Sequence, residues 1–182
     1  MTSIDALLDE AESANQLSPA QASLITAVNT GDAKRLTKLI RGGADLNAPL
    51  PGEAQMTVLL MEVINNRPDA VQLLIQAGAD RSIPDAAGRT AYHHAAIHGE
   101  RDVMNALLHG ARYADLNIQD EDGETPAHWA AWAGHAEVLD LLLKAKARTD
   151  LQDHDGRTAW GRAHMYGQDA CIRVLTAHGV RA

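Results

Sequence analysis

The chain has 182 residues, enough for one domain or one short array of repeats. Hydrophobic residues make up 46% against 22% charged, which excludes an unfolded polar chain. Aromatic residues are only 3%, so any core must be built from small aliphatic side chains, and a formal charge of −8 argues against a phosphate-neutralising, nucleic-acid-binding surface. That charge sits more easily with a basic or neutral protein partner. The single cysteine, Cys171, excludes an internal disulfide and fits a reducing compartment. No run approaches the roughly 20 apolar residues that span a bilayer. The opening MTSIDALLDEAESANQ carries acids where a secretion signal carries positive charge. The expected location is cytoplasmic, or periplasmic or secreted where a leader has been removed, and no membrane partner is expected.

In chain order, residues 1–17 place Ile4, Leu7 and Leu8 on one side of a short helix, with an unanchored tail as the alternative. Ser18 and Gln21 then form a capping-box pattern around Pro19. From Ala22 the chain repeats itself: ASLITAVNTGDAKRLTKLI is followed by TVLLMEVINNRPDAVQLLI from Thr57, TAYHHAAIHGERDVMNALL from Thr90, TPAHWAAWAGHAEVLDLLL from Thr125 and TAWGRAHMYGQDACIRVLT from Thr158. The starts are spaced 35, 33, 35 and 33 residues apart, the longer intervals carrying insertions in NAPLPGEAQM and GARYADLNI. The units run over about 18–51, 52–84, 85–119, 120–152 and 153–182, forming one domain over 18–182.

Each unit reads as helix, tight turn, helix and extended loop. Thr125 can cap a helix with its hydroxyl, and Pro126 suits the first helical position because its missing N–H would be unpaired there. Gly31, Gly99, Gly134 and Gly167 end the first helices. Val138, Leu139, Leu141, Leu142 and Leu143 recur at helical spacing in a second helix. DEDGET and DHDGRT supply turn chemistry before the next threonine. One unit cannot bury its apolar side alone, so neighbours must stack. Cys171 shares the slot of Val138 and Val103 and is expected to be buried and inert.

The pattern resembles the ankyrin repeat, most fully at Asp120, Gly123, Thr125, Pro126, His128, Ala130, Ala131, Gly134 and His135. The resemblance implies an all-α solenoid of stacked helix-turn-helix units with short hairpin loops. It implies that His93 and His128 tighten the loop-to-helix turn by hydrogen bonding, and that His135 occupies the family's Gly-His position. TVLL and TAWG depart from the pattern, as does the first unit, which lacks the threonine. End units of a solenoid are expected to depart because one face meets solvent, and residues 1–17 would then cap the array.

Catalytic signatures are absent: there is no GxSxG elbow, no phosphate-cradling loop with lysine and no nucleophile with an identifiable base. A non-enzymatic protein is expected, without cofactor or metal. The alternative is a metal or enzymatic site on the face of His94 and His98, which are four residues apart on one helix. The basic strip Lys34, Arg35, Lys38 and Arg41 lacks interleaved aromatic residues and reads as a solvated face, so no nucleic acid is expected.

Positions four, seven and eight after each threonine share one face of the first helix. The resemblance implies that this face lines the concave side, where such proteins bind partners. The expected partner-binding residues on it are Ile64, Asn65, His94, Ile97, His98, Trp129, Trp132, Arg162, Met165 and Tyr166. Hairpin tips add Arg89, Glu121, Asp122, Glu124, His154, Asp155 and Arg157 as a polar rim. Trp129 is expected to be shared with the adjacent helix, Trp160 to face the core, and Trp132 and Tyr166 to face solvent. The expected function is protein–protein interaction by an array that is monomeric when free. A toxin or enzyme as partner would make it an inhibitor or immunity protein, and other partners would make it an adaptor.

Overall fold

The computed structural model describes residues 19–51 and 54–180. The short helix expected over residues 1–17, and Ser18 of the expected capping box, lie outside them. Among the described residues, helices follow one another in five pairs and no strand forms. The first pair is α1 (Pro19–Thr30) and α2 (Ala33–Arg41), and the second α3 (Val58–Ile64) and α4 (Pro68–Gln76). The third is α5 (Ala91–His98) and α6 (Arg101–Leu108), the fourth α7 (Pro126–Ala133) and α8 (Ala136–Lys144), and the fifth α9 (Ala159–Met165) and α10 (Asp169–Ala177). The insertion in the third unit folds as a 3-10 turn, Tyr113–Asn117.

First helices pack on first helices and second helices on second helices, giving two layers. Alanine makes the first layer close: Ala91, Ala95, Ala96, Ala127, Ala130, Ala131, Ala159 and Ala163 are all fully buried. Larger side chains fill the space toward the second layer, among them Val71, Leu74, Val103, Leu107, Val138, Leu142 and Leu175, with Cys171 in the same register. Burial pushes the Cys171 thiol up to about 11, so it stays protonated and unreactive. Tyr92, two residues after its threonine, is completely buried and donates its hydroxyl to the Leu107 carbonyl. Trp160 holds the equivalent slot in the fifth pair, where it is half-buried against the core and stacked on His164.

Two sets of side-chain bonds tie successive pairs together. The Thr90 N–H donates to His93 Nδ1 at 3.0 Å, and His93 Nε2 lies 3.1 Å from the Glu124 carbonyl, one unit further on. A backbone N–H can only donate and a carbonyl can only accept, so the proton must sit on Nε2. His128 repeats the arrangement with Thr125 and the Arg157 carbonyl. Leu60 and Gly161 occupy this slot in the second and fifth pairs, where the threonine hydroxyl accepts directly from their backbone N–H.

The second set starts at the residue that opens the second helix in the second, fourth and fifth pairs and reaches back one unit. Arg67 donates to the Val28 carbonyl, His135 to Ile97 at 3.1 Å and Gln168 to Trp132 at 3.0 Å. Gly99 makes room for it, since a Cβ there would lie 2.4 Å from His135 Nδ1. Glu100 holds the same slot in the third pair but cannot donate when ionised. Its Oε2 is buried without a hydrogen-bond partner, and burial pushes the carboxyl up to about 7.

These groups set the pH response in opposite directions. Burial lowers His93 from 6.5 to about 4, so its contribution to stability is full above pH 6.5 and is lost as the pH falls through about 4. The urea midpoint should therefore fall on acidification from about pH 7 to about pH 4.5, and His93→Leu, which places the Leu60 side chain type in this slot, should flatten that slope. Glu100 has a raised value, so its contribution is full below about 4.5 and is lost as the pH rises through about 7. Glu100→Gln can donate as Gln168 does, and should stabilise the fold by about 1 kcal/mol near pH 8 with a smaller gain near pH 5.

Candidate protein-binding surface

The hairpins that precede the third, fourth and fifth first helices are built around one aspartate each. Asp85 Oδ1 accepts from the backbone N–H groups of Ala87 and Arg89, both at 2.9 Å. Asp120 does the same for Asp122 and Glu124, and Asp153 for Asp155 and Arg157. Neighbouring tips are then joined by backbone bonds, Ala86 to the Ala54 carbonyl, Glu121 to Ala87 and His154 to Asp122. Glycine permits this approach: at Gly123, with φ at 75°, a Cβ would lie 2.9 Å from the His154 nitrogen.

The second oxygen of each aspartate binds a side chain nine residues later, on the first helix. Asp85 Oδ2 meets His94 Nε2 at 2.8 Å, Asp120 Oδ2 accepts from Trp129 Nε1 at 2.7 Å, and Asp153 Oδ2 accepts from Arg162 Nε at 2.6 Å. This corrects the expectation that the position four after the threonine is free for a partner. His94 is 9% exposed, Trp129 is half-buried, and the Arg162 side chain is 12% exposed. Histidine, tryptophan and arginine share an N–H that reaches the aspartate, and this common donor nine residues after each hairpin aspartate is the signal of the pairing in the sequence.

Glu124 is a second correction. Expected on the exposed rim, it is instead 5% exposed, with Oε1 2.5 Å from Arg162 Nη2. Burial, with the neighbouring aspartates, pushes Glu124 up to about 7 against the pull of Arg162. Arg157 is half-buried and pairs with Asp155, and Arg89 lies over the Trp129 ring at 4.7 Å while pairing with Asp120.

What remains exposed is an aromatic and aliphatic strip. Trp132 meets Trp129 edge to face at 5.3 Å and Tyr166 of the next pair at 5.9 Å. Trp132 nevertheless stays 37% exposed and Tyr166 47%, with Met165 at 56% and Ile64 at 40%. Ile97 is half-buried between them, and Asn65, His98, Glu121, Asp122 and His154 are exposed. His94 and His98 stack at 6.4 Å, but Nε2 of His94 is already engaged by Asp85. Among the described residues no group of three or more His, Cys, Asp or Glu side chains could hold a metal ion. None of the described helices is long and apolar enough to cross a membrane.

Asp120→Asn separates the two roles of this carboxylate. The amide oxygen can keep accepting from the hairpin, but the NH2 cannot accept the indole proton. The variant should lose about 1–3 kcal/mol in denaturation and shift tryptophan emission to the red as Trp129 loosens.

Comparison with known proteins agrees with this architecture. The family model for ankyrin repeats (3 copies) matches residues 24–120 and 112–182. The chain is 31% identical over 90 residues to Notch-regulated ankyrin repeat-containing protein A of Danio rerio, covering 48% of this chain and 80% of that protein. It shows the same identity over the same length to Notch-regulated ankyrin repeat-containing protein of Homo sapiens, covering 48% and 79%. With its paired helices, joined hairpin tips and matched residues, the chain belongs to the ankyrin-repeat family.

Proposed function

We propose that the chain is a non-enzymatic module that holds a protein partner on its first-helix face and hairpin tips. Ankyrin repeats are generally protein-interaction modules and typically non-enzymatic, and the chain shares their architecture. The observation that carries the finer reading is the Trp132–Tyr166 contact, which joins two pairs while leaving both rings exposed. Exposed contiguous apolar surface marks interaction sites, and Trp and Tyr are among the residues that most often anchor them. Indole and phenol rings held by packing lose little conformational freedom on binding, so the strip is preorganised.

Ile64, Ile97 and Met165 extend the anchor, and Asn65, His98, Glu121, Asp122 and His154 form its polar surround. Arg89, His94, Glu124, Trp129, Arg157 and Arg162 support this surface from beneath through the hairpin network. As an inhibitor or immunity protein the array would cover the active site of a toxin or enzyme; as an adaptor it would leave its partner's activity intact. Titrating the array against a captured partner's activity separates the two.

Replacing Trp132 with Asp and Tyr166 with Ala should weaken capture of the partner by a factor of roughly 30 or more, the loss of a hot spot of at least about 2 kcal/mol. Circular dichroism should show unchanged helicity, because neither side chain is buried. Affinity capture with both proteins followed by mass spectrometry provides the readout. Equal retention of the same partner by the variant places the interface on another surface.

A further inference from the structure

The strip lies beside an unbalanced set of charges. The guanidiniums at the hairpins and first helices of the last three pairs are already matched inside the array. Arg89 pairs with Asp120, Arg157 with Asp155, and Arg162 with both Glu124 and Asp153. Glu121 and Asp122, at the tip of the fourth hairpin, are exposed and make no ion pair among the described residues. They directly follow Asp120, the residue that holds Trp129 against Trp132. One hairpin therefore presents two unpaired carboxylates next in sequence to the aspartate that holds Trp129, whose ring lies 5.3 Å from that of Trp132.

Covering these carboxylates with an uncharged surface would strip their water without replacement, and an acidic surface would add repulsion. A cationic side chain offsets that desolvation, and the strip beside it takes an apolar side chain. We infer that the partner presents a segment in which a lysine or arginine adjoins a large apolar residue, the cation meeting Glu121 and Asp122 and the apolar group covering Trp132, Tyr166 and Met165. This rests on the strip being the docking surface, and adds the chemistry of what docks there.

The test is selection of a random dodecapeptide phage library on the full chain, on Trp132→Asp, and on a Glu121→Lys, Asp122→Lys double variant. The expected selection enriches Lys or Arg next to Trp, Phe or Leu. A synthetic peptide of the enriched sequence should bind roughly tenfold more weakly to the charge-reversed variant. Its affinity should also fall as salt is raised from roughly 50 to 300 mM. Replacing its basic residues with Glu should restore binding to the charge-reversed variant. Enrichment of neutral or acidic peptides that still require Trp132 overturns the basic-partner inference and leaves the strip as the docking surface. A library that yields no Trp132-dependent binder overturns both.

Discussion

The hairpin aspartate is the interaction on which the surface depends. A loop with no core of its own needs its backbone N–H groups satisfied and its direction set. Asp85, Asp120 and Asp153 do both with one carboxylate each: one oxygen closes the turn, and the other binds the first helix nine residues on. Such charge-assisted bonds are short, and those made by Asp120 and Asp153 are largely shielded from water. The tip is thereby locked to the helix it precedes. The backbone bonds between tips then carry that orientation from one unit to the next.

The same constraint divides the first-helix face into two kinds of position. In the third, fourth and fifth pairs, the side chain that belongs to the hairpin and carries an N–H lies four residues after the threonine. Seven and eight residues after it, nothing in the unit demands a particular side chain. Trp132, Met165 and Tyr166 occupy those positions, and alanine packing brings the helices close enough for Trp132 and Tyr166 to meet. Tying the arginines into the hairpins also leaves the outer tip acidic, so apolar anchor and charge arise from one arrangement.

Coupling between pairs is not uniform. From the third pair to the fifth, histidine side chains and backbone bonds between hairpin tips link neighbours in a regular way. Toward the first pair the pattern changes: Arg67 bonds to the Val28 carbonyl and lies 3.4 Å from Glu62, whose carboxyl is buried and raised above its usual range. Glu100 interrupts the back-reaching bonds between the second and third pairs. The exposed aromatic rings sit in the more regular portion, where adjacent units hold one another's backbone most completely.

The period, the threonine caps, the glycine stops and the apolar register were legible in the sequence because each is a local rule repeated along the chain. They determine paired helices in two layers, and they are enough to mark Trp132 and Tyr166 as exposed and Cys171 as buried. The roles of His94, Trp129, Glu124 and Arg162 were decided only by the tertiary structure. Their partners lie nine residues away or in the next unit, and helical register says which way a side chain leaves the helix, not which carboxylate waits there. The sequence by itself determined a stacked array with an aromatic face; only the packed units decided which of those side chains hold the hairpins and which remain free for a partner, because that choice depends on hydrogen bonds closed across a loop.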